Sequence, residues 1–287
     1  MATEIFKRKE FIESDKKIPV IVGQKDNGEL LIEDLLDINN LLSIGQIGTP
    51  RVVFTQSLVT GIAFKCSPEN VKLLLIQFSG AELSIFDKLP HTKLNLPNFK
   101  IDGVVENDKE KCLYALDRLA KEAIVRYHKI KELGLKTIEE YNQKAEEKMP
   151  YIVCVVEYPH SLDERDIPVV SDYINQITDF SKETGICFVY TLNRLKRTLE
   201  DNHECNLLTE TMIKKLSSKV IFNLPENEEF CDFKIEGEEY SEYRKHWFVK
   251  SDNTSIKTAM PFIEWEEVKE ILKKNIDEDW FYGTKDN

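Results

Sequence analysis

The chain has 287 residues, 41% hydrophobic and 31% charged, the balance of a folded globular protein with room for one large α/β domain or two small ones. Its formal net charge is −12, which argues against a free-standing nucleic-acid-binding module, because phosphate binding rests on clustered Lys and Arg. No apolar run approaches the ~20 residues of a membrane span, and the opening MATEIFKRKEFIESDKK lacks a signal-peptide core, so a cytoplasmic location is expected.

In chain order, the first strongly apolar run is LLSI (41–44). It leads into IGQIGTPRVV (44–53) and then into a pattern compatible with a helix. VKLLLIQF (71–78) follows. Pro90 to Asp108 carries few helix signals and reads as a loop. KEKCLYALDRLAKEAIVRYHKIKELG (109–134) sets Leu113, Leu116, Leu119, Ala120, Ala123 and Ile124 on one face, with Gly134 suited to end the helix. YIVCVVEY (151–158), a helix over 169–185 ending at Gly185, and ICFVYTL (186–192) come next. KVIFNL (219–224), an acidic stretch over 225–247 read as surface loops and a short helix, and a helix over 264–274 complete the pattern. Apolar runs alternating with helices predict a mostly parallel sheet covered on both faces.

Six cysteines (Cys66, Cys112, Cys154, Cys187, Cys205, Cys231) are widely spaced and form no C-x-x-C pair. They read as reduced, buried thiols. Five histidines show no ligand spacing, so no metal site is expected. His91 reads as a structural hydrogen-bonding residue. Basic clusters are few: Arg194, Lys196 and Arg197, then Lys214 and Lys215, then Arg244 and Lys245. The first follows a strand's C-terminal end, a usual ligand or partner edge, although a solvated surface is the simpler reading for each.

IGQIGTPRVV stands where a phosphate-cradling loop of the form G-x-x-x-x-G-K-[ST] would stand. Gly45 fits the first glycine. Pro50 occupies the second glycine position, Arg51 the lysine position and Val52 the Ser/Thr position. Two readings follow: a phosphate cradle that has lost its chemistry, or turn glycines at Gly45 and Gly48 between a strand and a helix.

Laid out together, these segments resemble the motor domain of the FtsK/SpoIIIE DNA translocase family. IPVIVGQKDNGELLIEDL (18–35) is similar to the family's leading hairpin. NNLLSIGQIGTPRVV takes the place of its phosphate-loop segment. FKCSPENVKLLLIQFSGAELSIFDKLPH (64–91) follows in register, with Ser67-Pro68-Glu69, Glu82-Leu83-Ser84 and Leu89-Pro90-His91 all family-like. RYHKIKELGLKTIEEYN (126–142), PYIVCVVEY (150–158) and TGICFVYTLNR (184–194) match later family segments. The likeness covers residues 18–275, with 1–17 as an N-terminal extension and 276–287 as a tail. It implies a RecA-like P-loop NTPase fold. It also implies relatives that act as hexameric rings on double-stranded DNA, and related domains that drive type VII secretion. The family's extra membrane, ring-forming or winged-helix segments are not read in this sequence.

The same likeness implies a site altered at each catalytic position. The degenerate loop comprises Gly45, Gln46, Ile47, Gly48, Thr49, Pro50, Arg51 and Val52. Pro50 has no N–H to donate, Arg51 substitutes a planar fork for an ammonium, and Val52 has no hydroxyl for Mg²⁺. Glu157 stands at the Walker B Asp position, Tyr158 at the catalytic Glu position and Asn193 at a sensor-like Gln position, while Arg194 keeps the family Arg. Gln77-Phe78-Ser79 replaces a common Asp-Pro-Lys type of turn. One electrostatic donor is typically worth ~2.7–4 kcal/mol of transition-state stabilisation, so joint loss of these groups implies no turnover.

The expectation is therefore a pseudo-ATPase with no catalytic residue, no metal and no cofactor. Weak ATP/Mg²⁺ binding through Gly45, Gly48, Thr49 and Arg51 is the alternative. Such a domain would act as a binding or regulatory subunit, in a homo- or hetero-oligomeric ring with FtsK-like subunits or with a protein partner. Contact with duplex DNA would be weak. An active DNA translocase with an unorthodox site and a type VII secretion-like substrate-binding domain remain the competing readings.

Overall fold

The computed structural model describes residues 5–45, 49–78, 80, 82–97, 99–157, 162–163, 165–193, 208, 211–222, 244–261, 263 and 265–276, without the side chains of Asn193, Trp265, Asn275 and Ile276. Strands β1 (Pro19–Gln24) and β2 (Leu30–Asp34) form a hairpin. Helices α1 (Lys9–Ile12) and α2 (Leu35–Ile38) flank it. Then come β3 (Asn40–Gly45), α3 (Arg51–Lys65) and β4 (Val71–Gln77). The short strands β5 (Lys93–Leu96), β6 (Phe99–Asp102) and β7 (Val105–Glu106) precede the long helix α4 (Lys109–Glu132) and α5 (Ile138–Lys144). The remaining elements are β8 (Tyr151–Glu157), α6 (Asp166–Asp179), α7 (Ser181–Thr184), β9 (Ile186–Asn193), β10 (Ser218–Phe222), β11 (Lys245–Val249), β12 (Ser255–Ala259) and α8 (Trp265–Ile276).

One sheet runs in the order β2-β1-β12-β11-β10-β3-β9-β8-β4-β7. Pairing is parallel from β10 through to β7 and antiparallel from β2 to β10. The expected RecA-like α/β arrangement is present. The parallel strands are apolar on both faces because both faces are covered. Leu73, Leu75, Val153, Val155 and Val189 pack with Phe54, Leu58 and Ile62 of α3 and with Val268 and Ile271 of α8. Leu74, Ile76, Cys154, Val156 and Tyr190 pack with Leu116 and Leu119 of α4 and with Val170 and Ile174 of α6.

Local chemistry sets the element ends. Asp108 caps α4 by accepting from the Lys111 N–H at 3.1 Å. Gly185 ends α7 at φ +68°, where a Cβ would lie 2.8 Å from Tyr151 and 2.9 Å from Ile138, so only glycine fits. The fully buried Arg126 fixes α4 to the sheet, donating to the Pro150 carbonyl at 2.7 Å and the Thr184 carbonyl at 3.3 Å. Glu267 of α8 accepts from the backbone N–H groups of Ile5 and Phe6 at 3.1 and 3.0 Å, tying the first described residues to the last helix.

Three expectations are corrected. The helix expected over 169–185 is two helices, α6 and α7, with Phe180 between them. The stretch Pro90 to Asp108 is not a plain loop: it holds a 3₁₀ turn and strands β5, β6 and β7. Its strands are two to four residues long, too short to display a period-2 pattern. The acidic stretch 225–247 ends in strand and not in loop, since β11 begins at Lys245. A charged Arg244-Lys245 start masks an alternation that only Phe248 and Val249 complete. Residues 225–243 lie outside the described residues, as do Cys205 and Cys231. Cys66, Cys112, Cys154 and Cys187 are free and buried, as expected. Burial pushes the Cys66 thiol up to about 12 and Cys112 to about 11, so these are inert thiols.

Candidate functional site

The site forms at the C-terminal edge of the parallel strands, the usual ligand edge of an open α/β sheet. β3, β4, β8 and β9 end there at Gly45, Gln77, Glu157 and Asn193. Register aligns Gly45 with Asn193, Glu157 with Thr191, and Gln77 with Glu157. The chain leaves β3 at Gly45 and enters α3 at Arg51, so the strand–loop–helix unit of a phosphate loop is present. Gln46, Ile47 and Gly48 lie outside the described residues, as do Tyr158, Arg194 and the Asn193 side chain.

Gly45 is held by close packing. A Cβ there would lie 2.7 Å from Phe222 Cβ and 2.7 Å from Thr49 Oγ1. Pro50 precedes α3 with φ −66° and its carbonyl accepts from the Phe54 N–H at 2.8 Å. A proline at this helix start suits the backbone and removes one N–H that a phosphate could use. Val52 is half-buried and carries no hydroxyl.

Arg51 turns inward. Only 3% of it is exposed. Its Nη2 lies 3.6 Å from Glu157 Oε1 and 3.8 Å from Glu82 Oε2. Burial lowers the pKa of the guanidinium, and the charge of Glu82 opposes that shift. Glu82 is held in place by its backbone. Gln56 of α3 donates to the Glu82 carbonyl at 2.9 Å, and Gln77 accepts from the Leu83 N–H at 2.8 Å. The segment after β4 is thus latched onto the first turns of α3.

The structure sets Gly45 beside Thr49 and Arg51 beside Glu157. It adds Thr191 and Ser43, and it gives Glu82 and Gln77, known from the family-like segments, a place beside Arg51 and Glu157. A sequence signal for Thr191, Ser43 and Gln77 exists: each apolar run carries a polar residue near its C-terminal end. His91 behaves as expected, buried with Nε2 2.7 Å from the Cys66 carbonyl oxygen. Lys215 pairs with Asp179 at 2.6 Å and takes no part in the site. Among the described residues, no group of three or more His, Cys, Asp or Glu could hold a metal, and no helix is long and apolar enough to cross a membrane.

The FtsK/SpoIIIE family profile matches residues 3–201, more than half of the chain. This chain belongs to the FtsK/SpoIIIE family. It is 29% identical over 197 residues to a DNA translocase FtsK of Clostridium acetobutylicum, covering 67% of this chain and 25% of that protein. It is 24% identical over 273 residues to the DNA translocase FtsK of Leptospira interrogans, covering 90% of this chain and 27% of that protein. Among solved structures, the fold is similar to EssC (ATPases 2 and 3) from Geobacillus thermodenitrificans, with TM-score 0.72, 18% identity, and coverage of 92% of this chain and 49% of the other. It is also similar to the pCW3 conjugation coupling protein TcpA, with TM-score 0.70, 17% identity, and coverage of 93% and 72%. At these identities the structural likeness speaks for the fold alone. The chain spans about a quarter of the length of the curated FtsK relatives it matches.

Proposed function

We propose that this FtsK-type domain is a pseudo-ATPase whose nucleotide site is closed by its own side chain. It serves as a binding or regulatory subunit within an assembly. The observation that carries this reading is Arg51, buried and turned toward Glu157 at 3.6 Å. The position that would carry a phosphate-binding lysine carries instead a cation facing a carboxylate of its own chain.

The residues present do not fit a Mg²⁺–nucleotide complex. Pro50 lacks an N–H, Val52 lacks a hydroxyl, and the carboxylate available to a metal at the end of β8 already faces a guanidinium. With no turnover of its own, the domain contributes surfaces. A net charge of −12 favours a protein partner, such as an FtsK-like subunit or a secretion substrate, over duplex DNA.

A second reading, an active translocase domain, draws on two features. Glu157 ends β8 with a carboxylate, and the Thr49 hydroxyl adjoins Gly45. Steady-state ATP hydrolysis with Mg²⁺ and excess linear duplex DNA separates the two. Turnover no higher than a no-enzyme control supports the closed site; DNA-stimulated turnover abolished by Glu157→Gln supports the translocase.

A further inference from the structure

Four adjacent parallel strands carry polar side chains along one rung near their C-terminal ends. Ser43 of β3 pairs with Thr191 of β9, Thr191 with Glu157 of β8, and Glu157 with Gln77 of β4. Residues paired this way point to the same face. Their chain neighbours Leu42, Ile44, Ile76, Val156, Tyr190 and Leu192 pack on the α4–α6 face, so the four polar side chains face α3. Ser43 and Gln77 are 0% exposed, Thr191 1%, Arg51 3% and Glu157 7%. Within this set Ser43 Oγ, Thr191 Oγ1, Glu157 Oε2, Gln77 Nε2 and Arg51 Nε have no hydrogen-bond partner.

Folded proteins rarely leave buried polar atoms unsatisfied, and a cluster in one row points to a bound species. Its chemistry follows from the groups. Arg51 Nε and Gln77 Nε2 only donate, the Glu157 carboxylate oxygen only accepts, and the two hydroxyls do both. A cation would satisfy the acceptors and strand the donors beside a guanidinium. An anion would satisfy the donors and face Glu157. Water alone serves the whole set. Neighbouring strands lie roughly 4.8 Å apart, so one water can bridge adjacent members of the row, and the row spans roughly 14 Å.

We infer that a chain of ordered waters lies beneath the start of α3, joining Ser43, Thr191, Glu157, Gln77 and Arg51. The inference rests on the closed-site reading and deepens it. These waters solvate Glu157 Oε2, the carboxylate oxygen that has no hydrogen-bond partner in the protein. The closed site is therefore hydrated at its base, and Glu157 is not a dry carboxylate.

Thr191 tests it by the sign of an effect. Thr191→Val keeps the shape and removes the hydroxyl, while Thr191→Ser keeps the hydroxyl. In a hydrated row the Val variant strands a water, and its unfolding equilibrium shifts roughly fivefold toward the unfolded state, with the Ser variant closer to the parent. A Val variant as stable as the parent, or more so, means a dry row and overturns the inference. A high-resolution crystal structure of the full chain, grown without nucleotide and with sodium bromide, gives an independent readout. Waters bridging members of the row support the inference. Anomalous bromide density, a sodium ion with oxygen-only contacts, or a dry row refutes it. A dry row with the Arg51–Glu157 contact intact leaves the closed site standing, whereas Arg51 outside the site removes both.

Discussion

Arg51→Met removes the guanidinium that faces Glu157 and keeps an unbranched apolar chain in its place. Glu157 exposes only 7% of its surface, and its Oε1 lies 3.6 Å from Arg51 Nη2. Removing one partner of a buried ion pair typically costs about 3–5 kcal/mol, because the remaining charge loses its compensation. The contact is longer than an N–H···O hydrogen bond, and Glu157 can take up water once alone. Both effects pull the expectation to the low end, about 3 kcal/mol. In urea denaturation that lowers the midpoint by about 1 M, for a slope of about 3 kcal/mol per M. Glu157→Leu alone is expected to cost less, since Arg51 keeps Glu82 at 3.8 Å. The double variant Arg51→Met/Glu157→Leu is expected to recover most of the loss, because an apolar replacement of a buried pair is often neutral or stabilising. The cycle isolates the coupling between the two side chains. Single variants that each cost under about 0.5 kcal/mol and simply add would refute the pair, since that is the additivity of uncoupled sites.

Gly45→Ala sets a Cβ 2.7 Å from Phe222 Cβ and from Thr49 Oγ1, so a loss of about 1–3 kcal/mol is expected in thermal or chemical denaturation, against none if the turn is open. Acid should destabilise the fold through two buried histidines. Burial lowers His91 and His246 from 6.5 to about 4, so each is neutral in the fold where the unfolded chain would be protonated. A lowered histidine pKa means the unfolded state binds more protons between about pH 6.5 and 4, and stability falls as pH falls through that window. Each site should account for about 2 kcal/mol between pH 7 and 5, and His246→Gln should flatten the slope of unfolding free energy against pH; an unchanged slope contradicts the assignment.

Much of the fold is legible in the chain. LLSI, VKLLLIQF, YIVCVVEY and ICFVYTL are apolar without alternation because both sheet faces are covered, and they are β3, β4, β8 and β9 within a residue or two. The helix expected over 109–134 is α4, ending at Glu132 with Gly134 at φ +68°. The helix expected over 169–185 splits in two, as α6 and α7 with Phe180 between them. The β1–β2 hairpin came from family likeness. Its long-range pairing with β12 was hidden, because β12 reads SIKTA, mixed and largely exposed. At the site, the spacing of the loop names Pro50, Arg51 and Val52, and the family likeness names Glu157. Neither tells where Arg51 points. It faces Glu157 and Glu82, 106 and 31 positions away, and the Glu82 segment is set by hydrogen bonds from Gln56 and to Gln77 that no local pattern encodes.

The central claim, a site closed by its own arginine, is tested most directly by calorimetric titration of the folded chain with Mg²⁺ and a non-hydrolysable ATP analogue. No detectable heat is expected from the parent, because Arg51 faces Glu157 and not the solvent. Micromolar binding by the parent, lost on Arg51→Ala, would show that IGQIGTPRVV still cradles phosphate and would contradict the closed site.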